Sequence, residues 1–190
     1  MKRISLVVLI AVLGIGTLSA QFSMGPKIGL NISSLSGTGS EYKAGVNVGV
    51  LANYRFNKLL AIQPEFLYSL QGCGADAGYD VTMKYNLHYI NIPVLLKIYP
   101  WSGLNIHIGP QFSFFVDDKV SVKSGETKVS ADVFDNANSF DFALALGVGY
   151  DFDFGLTFDA RFNLGLTKIM PDYEDKNRVF MISLGYKFDF

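Results

Sequence analysis

Residues 178–190 read RVFMISLGYKFDF. Taken every second residue, Phe180, Ile182, Leu184, Tyr186, Phe188 and Phe190 fall on one side of the chain. Met181, Ser183, Gly185, Lys187 and Asp189 fall on the other. A period of two marks a β-strand, because successive side chains of an extended chain point to opposite faces. One face of this strand is continuously apolar and ends in aromatics; the other is mixed and mostly polar. A soluble sheet would bury the apolar face under a second layer, whereas a transmembrane barrel would turn it to lipid.

Seven earlier segments repeat the pattern. Phe22–Ser33 sets Ile28, Leu30 and Ile32 against Lys27, Gly29, Asn31 and Ser33. Ala44–Phe56 alternates Val46, Val48, Val50, Ala52, Tyr54 and Phe56 with Asn47, Gly49, Asn53 and Arg55. Leu59–Leu70 and Leu87–Tyr99 follow, with Gln63, Glu65, Ser69, Asn91 and Lys97 on their polar faces. Leu104–Phe115, Phe140–Phe152 and Leu156–Thr167 complete the set, with Asn105, His107, Gln111, Asp141, Asp151, Asp159, Arg161 and Asn163 on the polar side. The connections alternate between long (35–43, 71–86, 117–139, 168–177) and short (57–58, 100–103, 153–155). Inside the longest, VSVKSGETKVSA reads as a hairpin about Ser124-Gly125, so the flanking strands are expected to continue beyond the membrane.

Composition points the same way. Hydrophobic residues make up 49% of the chain, aromatics 14%, and there are 19 glycines, yet after residue 20 no apolar run is long enough for a membrane-spanning helix. Residues 1–20 form an expected secretory signal: Lys2 and Arg3, an apolar run Ile4–Leu18, then Leu18-Ser19-Ala20 before the cut. Gln21 rather than a cysteine stands directly after Ala20, so a lipoprotein anchor is not expected. The expected mature domain is 21–190. Loss of Lys2 and Arg3 leaves 14 basic against 17 acidic residues, and the basic ones do not cluster, so nucleic acid is not an expected partner. A single cysteine, Cys73, excludes an internal disulfide.

Alternation alone does not say which face is inside. The charges do: Arg55, Glu65, Lys97, Asp159 and Arg161 share the polar face with the glycines 49, 147, 149, 165 and 185, which make room for long side chains inside a narrow barrel. A lipocalin-like barrel would invert this arrangement. Aromatics gather at both strand ends: Tyr54, Phe56, Tyr99, Trp101, Tyr150, Phe152, Phe154, Tyr186, Phe188 and Phe190 at the short turns, and Tyr68, Tyr89, Phe112, Phe114, Phe140 and Phe142 towards the long loops. Two belts suit two membrane interfaces. A ten-residue strand at ~3.3 Å per residue and ~45° tilt rises about 23 Å, close to the apolar band of an outer-membrane barrel. The expected fold is all-β, an eight-stranded antiparallel up-and-down transmembrane β-barrel in the cell outer membrane. Its termini are expected in the periplasm and its long loops outside. Pro26, Pro64, Pro93 and Pro110 fall inside strands and each removes a ladder donor, so bulges and register slips are expected beside them.

The blocks GPKIGLNISSLSG (25–37), GVNVGVLANYRFNKLLAIQPEFLYSLQG (45–72), LHYINIPVLLKIYP (87–100), GLNIHIGPQFSFFV (103–116), GVGYDFDFGLTFDARFNLGLTKI (147–169) and NRVFMISLGYKF (177–188) resemble the outer membrane protein β-barrel domain family, in its PorT-like group. The resemblance spans nearly all of residues 21–190. It implies an outer-membrane barrel, and through some PorT-like members an accessory place in protein secretion by the type IX route.

The candidate site is the lumen. By register it holds Lys27, Arg55, Lys97, Arg161 and Lys187 against Glu65, Asp141, Asp151, Asp159 and Asp189, five of each sign, read as a structural network that fills a narrow interior. His107 is expected to hydrogen-bond within it. No catalytic residue, cofactor or metal site is expected. His88 and Ser69 near the outer rim are the best pair for a lipid-modifying enzyme, and no carboxylate joins them. Asp172, Glu174 and Asp175 lack calcium-loop spacing. Cys73 is expected in an extracellular loop. The expected partners are outer-membrane lipid and other envelope or secretion proteins.

Overall fold

The computed structural model describes residues 21–36, 42–76, 81–124, 127–131, 140–167 and 176–190. All regular structure among them is β: β1 (Gln21–Leu35), β2 (Lys43–Arg55), β3 (Leu60–Asp76), β4 (Val81–Ile98), β5 (Leu104–Ser124), β6 (Thr127–Ala131), β7 (Phe140–Asp151), β8 (Leu156–Gly165), β9 (Asn177–Tyr186) and β10 (Phe188–Asp189). Each wall strand pairs antiparallel with the next, and β1 closes the ring by pairing with both β9 and β10. β9 and β10 are one strand interrupted at Lys187, whose N–H donates instead to the Gly155 carbonyl at 2.8 Å. β6 pairs only with β5. Eight strand positions therefore close the wall, and no sheet edge is left open around the ring.

The alternation read from sequence becomes an inside and an outside. Ile28, Leu30, Val46, Val48, Leu146, Val148 and Leu184 point outward and are exposed, while Lys27, Glu65, Lys97 and Arg161 point inward and are buried. Tyr150, Phe152 and Phe154 form an outward aromatic chain at the short-turn end, with ring centroids 4.7 and 5.3 Å apart. Two tyrosines leave the expected belts. Tyr89 and Tyr99 are buried inside; the first packs edge-on to Phe115 at 5.7 Å. The reason is parity: on β4, Ile90, Ile92 and Leu96 face outward, so odd-numbered residues face the lumen.

The prolines remove ladder links without shifting register. In β1, Pro26 pairs normally with Val50 of β2; on its other side the ladder breaks between Lys27↔Gly185 and Met24↔Phe188 and resumes unshifted. Pro64 and Pro93 leave equivalent gaps in the β2–β3 and β3–β4 ladders, and Pro110 in β4–β5, again with the register preserved. Beside Pro26 and Pro110 stand Gly25 and Gly109. A Cβ on either would lie 1.8 Å from the Tyr186 carbonyl oxygen or 1.9 Å from that of Val94. The carbonyl that loses its proline N–H partner moves over the neighbouring glycine Cα instead, a close approach only glycine permits. The register shift in the β4–β5 ladder lies elsewhere, between His88 and Tyr89, where Val116 is the extra residue between Phe115 and Asp117.

Residues 71–76 and 81–86 are not loop: they extend β3 and β4 as a paired ladder reaching Asp76↔Thr82. Cys73 accordingly sits in a strand, with its Cα opposite Tyr85. β5 continues to Ser124 and turns into β6 with Ser124 opposite Thr127, as the hairpin pattern predicts. Gly72, Gly74 and Asp76 give this segment a turn-like composition while its backbone ladder continues. The expected signal segment 1–20 and the acidic loop residues Asp172, Glu174 and Asp175 lie outside the described residues.

Candidate functional site: the charged lumen and its short-turn mouth

The lumen is crossed at mid-height by one ionic cluster built from four strands. Lys27 on β1 donates to Glu65 Oε1 on β3 at 2.8 Å and to Asp159 Oδ1 on β8 at 3.1 Å. Arg161, also on β8, donates from Nη2 to Glu65 Oε2 at 2.8 Å, so both carboxylate oxygens of Glu65 hold a cation. Gln63 Nε2 adds a third donor at 2.7 Å. His107 Nε2 on β5 lies 2.9 Å from Asp159 Oδ2, and its Nδ1 is 3.0 Å from Asn105 Oδ1. The charged side chains are at most 4% exposed. Gly147 clears the space they occupy: a Cβ there would come within 2.5 Å of both His107 Nε2 and the Arg161 side chain.

Above this cluster, towards the long connections, the filling is amide and hydroxyl. Asn31 donates to Ser69 Oγ at 2.8 Å and accepts from Asn47 at 2.7 Å. Gln71 donates to Ser69, and Asn177 reaches Gln71. Asp141 is apart from the charge network: it accepts from Thr167, whose Oγ1 also accepts from the Phe142 N–H at 2.9 Å. Leu51, Leu67, Leu95, Val179 and Met181 complete the filling with apolar atoms.

Below it, at the short-turn end, Asp151 is the hub of a second group. Lys97 reaches its Oδ1 at 3.2 Å; Lys187 at 2.8 Å and the Tyr99 hydroxyl at 2.7 Å reach its Oδ2. Arg55 lies over the Tyr99 ring, 4.1 Å from the centroid, a cation–π contact. Arg55, Tyr99, Asp151 and Lys187 form the floor of a cavity of about 950 Å³ that opens between the short turns and is rimmed by Lys58, Trp101, Asp153 and Asp189; Lys97 lies outside its lining. Asp189 is exposed there and takes part in no ion pair among the described residues.

Of the ten charged residues predicted to face one another, seven pair in these two groups. Arg55 stacks on a ring, Asp141 pairs with a hydroxyl, and Asp189 stays at the rim. Sequence reading missed Tyr99 as the donor to Asp151, and its lumen-facing parity directly after β4 was the available signal. It missed the Asn31–Asn47–Ser69 layer as a unit, since amide pairing across strands depends on stagger. His88 and Ser69 do not come together: Leu70, not Ser69, stands opposite His88, and Ser69 faces the lumen while His88 lies on the outer side and bonds Tyr68. No group of three or more potential metal ligands gathers among the described residues.

Solved barrels share this architecture. Ail, the attachment invasion locus protein of Yersinia pestis, is 15% identical with a TM-score of 0.54 over 87% of this chain and 98% of its own. Neisserial surface protein A is also 15% identical, with a TM-score of 0.54 over 88% of this chain and 97% of its own. At that identity the likeness is one of fold. No curated protein matches the sequence. The model of the outer membrane protein beta-barrel domain family matches residues 18–170, most of the wall described above. This chain therefore belongs to the outer membrane protein beta-barrel domain family.

Proposed function

We propose that the chain is a closed, non-enzymatic outer-membrane barrel that serves as a structural, binding or scaffolding protein, acting through its long connections or its short-turn rim rather than through a pore. The supporting observation is the mid-height cluster. Lys27, Glu65, Asp159, Arg161 and His107 cross the lumen with almost no exposure, and a path for solutes would have to break several buried, charge-assisted hydrogen bonds at once. Separation of Ser69 from His88 by the barrel wall supports the non-enzymatic reading. The test is single-channel recording in planar bilayers. A closed barrel gives no stable ohmic step, and Glu65→Ala lowers stability without opening one; a reproducible unitary conductance in the native chain refutes the reading.

In this reading the short turns face the periplasm, the long connections face outward, and membrane lipid surrounds the apolar wall. In a Cys73→Ser background, Tyr42→Cys on the long-connection side is then labelled by an impermeant maleimide on intact cells. Lys58→Cys in the first short turn is labelled only after the outer membrane is opened. The reverse pattern overturns the orientation. The PorT-like resemblance of the sequence blocks favours a second reading, an accessory membrane component of protein secretion. Mild-detergent purification decides between the two: stoichiometric secretion proteins support the second reading, and a lone heat-modifiable barrel supports the first.

A further inference from the structure

The geometry points to a binding site for a water-borne oxyanion, a carboxylate or phosphate group, in the short-turn mouth of the barrel. Two cations, Arg55 and Lys187, line the floor of this cavity, and a third, Lys97, bonds Asp151 from outside the lining. Lys97 is buried, and Arg55 and Lys187 are half-buried. One carboxylate, Asp151, faces them, and both of its oxygens are already taken: Oδ1 by Lys97, and Oδ2 by Lys187 and the Tyr99 hydroxyl. Arg55 has no carboxylate within ion-pair distance among the described residues; its face rests on the Tyr99 ring. The mid-height cluster differs, since there Lys27, Arg161 and His107 are met by two carboxylates.

The other charged groups around the opening do not cancel this excess. Lys58, Asp153 and Asp189 are all exposed at the rim, where water and salt screen them, and Lys58 offsets one of the two acids. The floor lies in a concave site with low-dielectric walls, where an unbalanced positive field is concentrated. An incoming oxyanion would accept from the free edge of the Arg55 guanidinium, whose fork matches planar oxyanions, with Lys187 beside it. The cavity, about 950 Å³, exceeds the needs of a single ion and admits a small organic body carrying the anion. Trp101 on the rim offers that body a stacking face. Because these side chains point into the lumen and the cavity opens along the barrel axis, the anion arrives from water rather than from the lipid face.

Trp101 is the only tryptophan in the chain and lines this cavity, so its emission reports on the site directly. The full chain, folded in phosphatidylcholine vesicles, is titrated with inorganic phosphate and separately with citrate, at constant ionic strength set with sodium chloride. The expected result is a saturable change in emission with at least one of the two. Loss of a charge-assisted hydrogen bond in Arg55→Gln or Lys187→Gln raises the half-saturation about tenfold or more, while Lys58→Gln leaves it nearly unchanged. Heat-modifiable migration on gels checks that each variant is folded. A change that never saturates with either anion, one reproduced by chloride alone, or equal half-saturation in the native chain and both floor variants overturns the proposal. A change seen only when phosphatidylglycerol is placed in the vesicles also overturns it, because the anion would then be a lipid headgroup.

Discussion

Glu65→Gln isolates the energetic role of the mid-height cluster, because it removes one charge while keeping volume and shape. Glu65 is fully buried and holds Lys27 and Arg161 at 2.8 Å each. At an effective dielectric constant of about 20, one such pair has a gross attraction of about 6 kcal/mol, most of which offsets the desolvation of the charges. The substitution leaves Lys27 and Arg161 sharing Asp159, 3.1 Å from Lys27 and 3.9 Å from Arg161 Nε. Breaking a buried pair from one side typically costs about 3–5 kcal/mol, because the surviving charge stays desolvated. The expected loss is therefore roughly two to four powers of ten in the unfolding equilibrium. Urea unfolding in lipid vesicles, followed by Trp101 emission and by heat-modifiable migration, measures it. Lys27→Met should cost a comparable amount, and the double variant should cost less than the sum, with a coupling of about 0.5–3 kcal/mol. A Glu65→Gln barrel within about 0.5 kcal/mol of the native chain, with additive double substitution, would refute the reasoning and mean that water already satisfies these charges.

Other positions give independent checks. Gly109→Ala places a Cβ 1.9 Å from the Val94 carbonyl oxygen, which is backbone and cannot turn away, so unfolding should come at clearly lower urea. Gly185→Ala meets side-chain atoms of Thr157 and Leu51 at 2.8 and 3.0 Å and should cost less. Leu146→Arg, on the outward face of β7, should cost about 2–4 kcal/mol in a bilayer if that face meets lipid near the midplane; an unchanged midpoint would contradict the membrane-facing assignment. Tyr99→Phe removes the hydroxyl donor to Asp151 and should lower stability by about 1–2 kcal/mol; no change would mean that Lys97 and Lys187 alone satisfy that carboxylate.

Much of the wall was legible in the sequence because a strand writes its two faces into alternate residues. RVFMISLGYKFDF, GVNVGVLANYRF and their counterparts specify two distinct faces without reference to any partner, and the charges and glycines shared by the polar face turn it inward, which places Lys27, Glu65, Lys97, Arg161 and Asp159 inside. The same parity placed Tyr89 and Tyr99 inside, against a belt assignment that counted aromatics and ignored their side. The prolines were legible as lost donors. That register survives them depends on backbone across the gap: at Pro26 and Pro110 a glycine beside the proline accepts the stray carbonyl, which only the closed sheet shows.

Which charges meet was decided by tertiary structure. Lys27 and Asp159 are 132 residues apart, and Glu65 and Arg161 are 96 apart. Alternation fixes the side of the wall but not the height, because height depends on the stagger between neighbouring strands and on ring closure through β1 and β9. The sequence could thus assign five residues of each sign to the lumen. Only the stagger separates a balanced cluster at mid-height from a mouth whose floor sets Arg55 and Lys187, with Lys97 beyond the lining, against the buried carboxylate of Asp151.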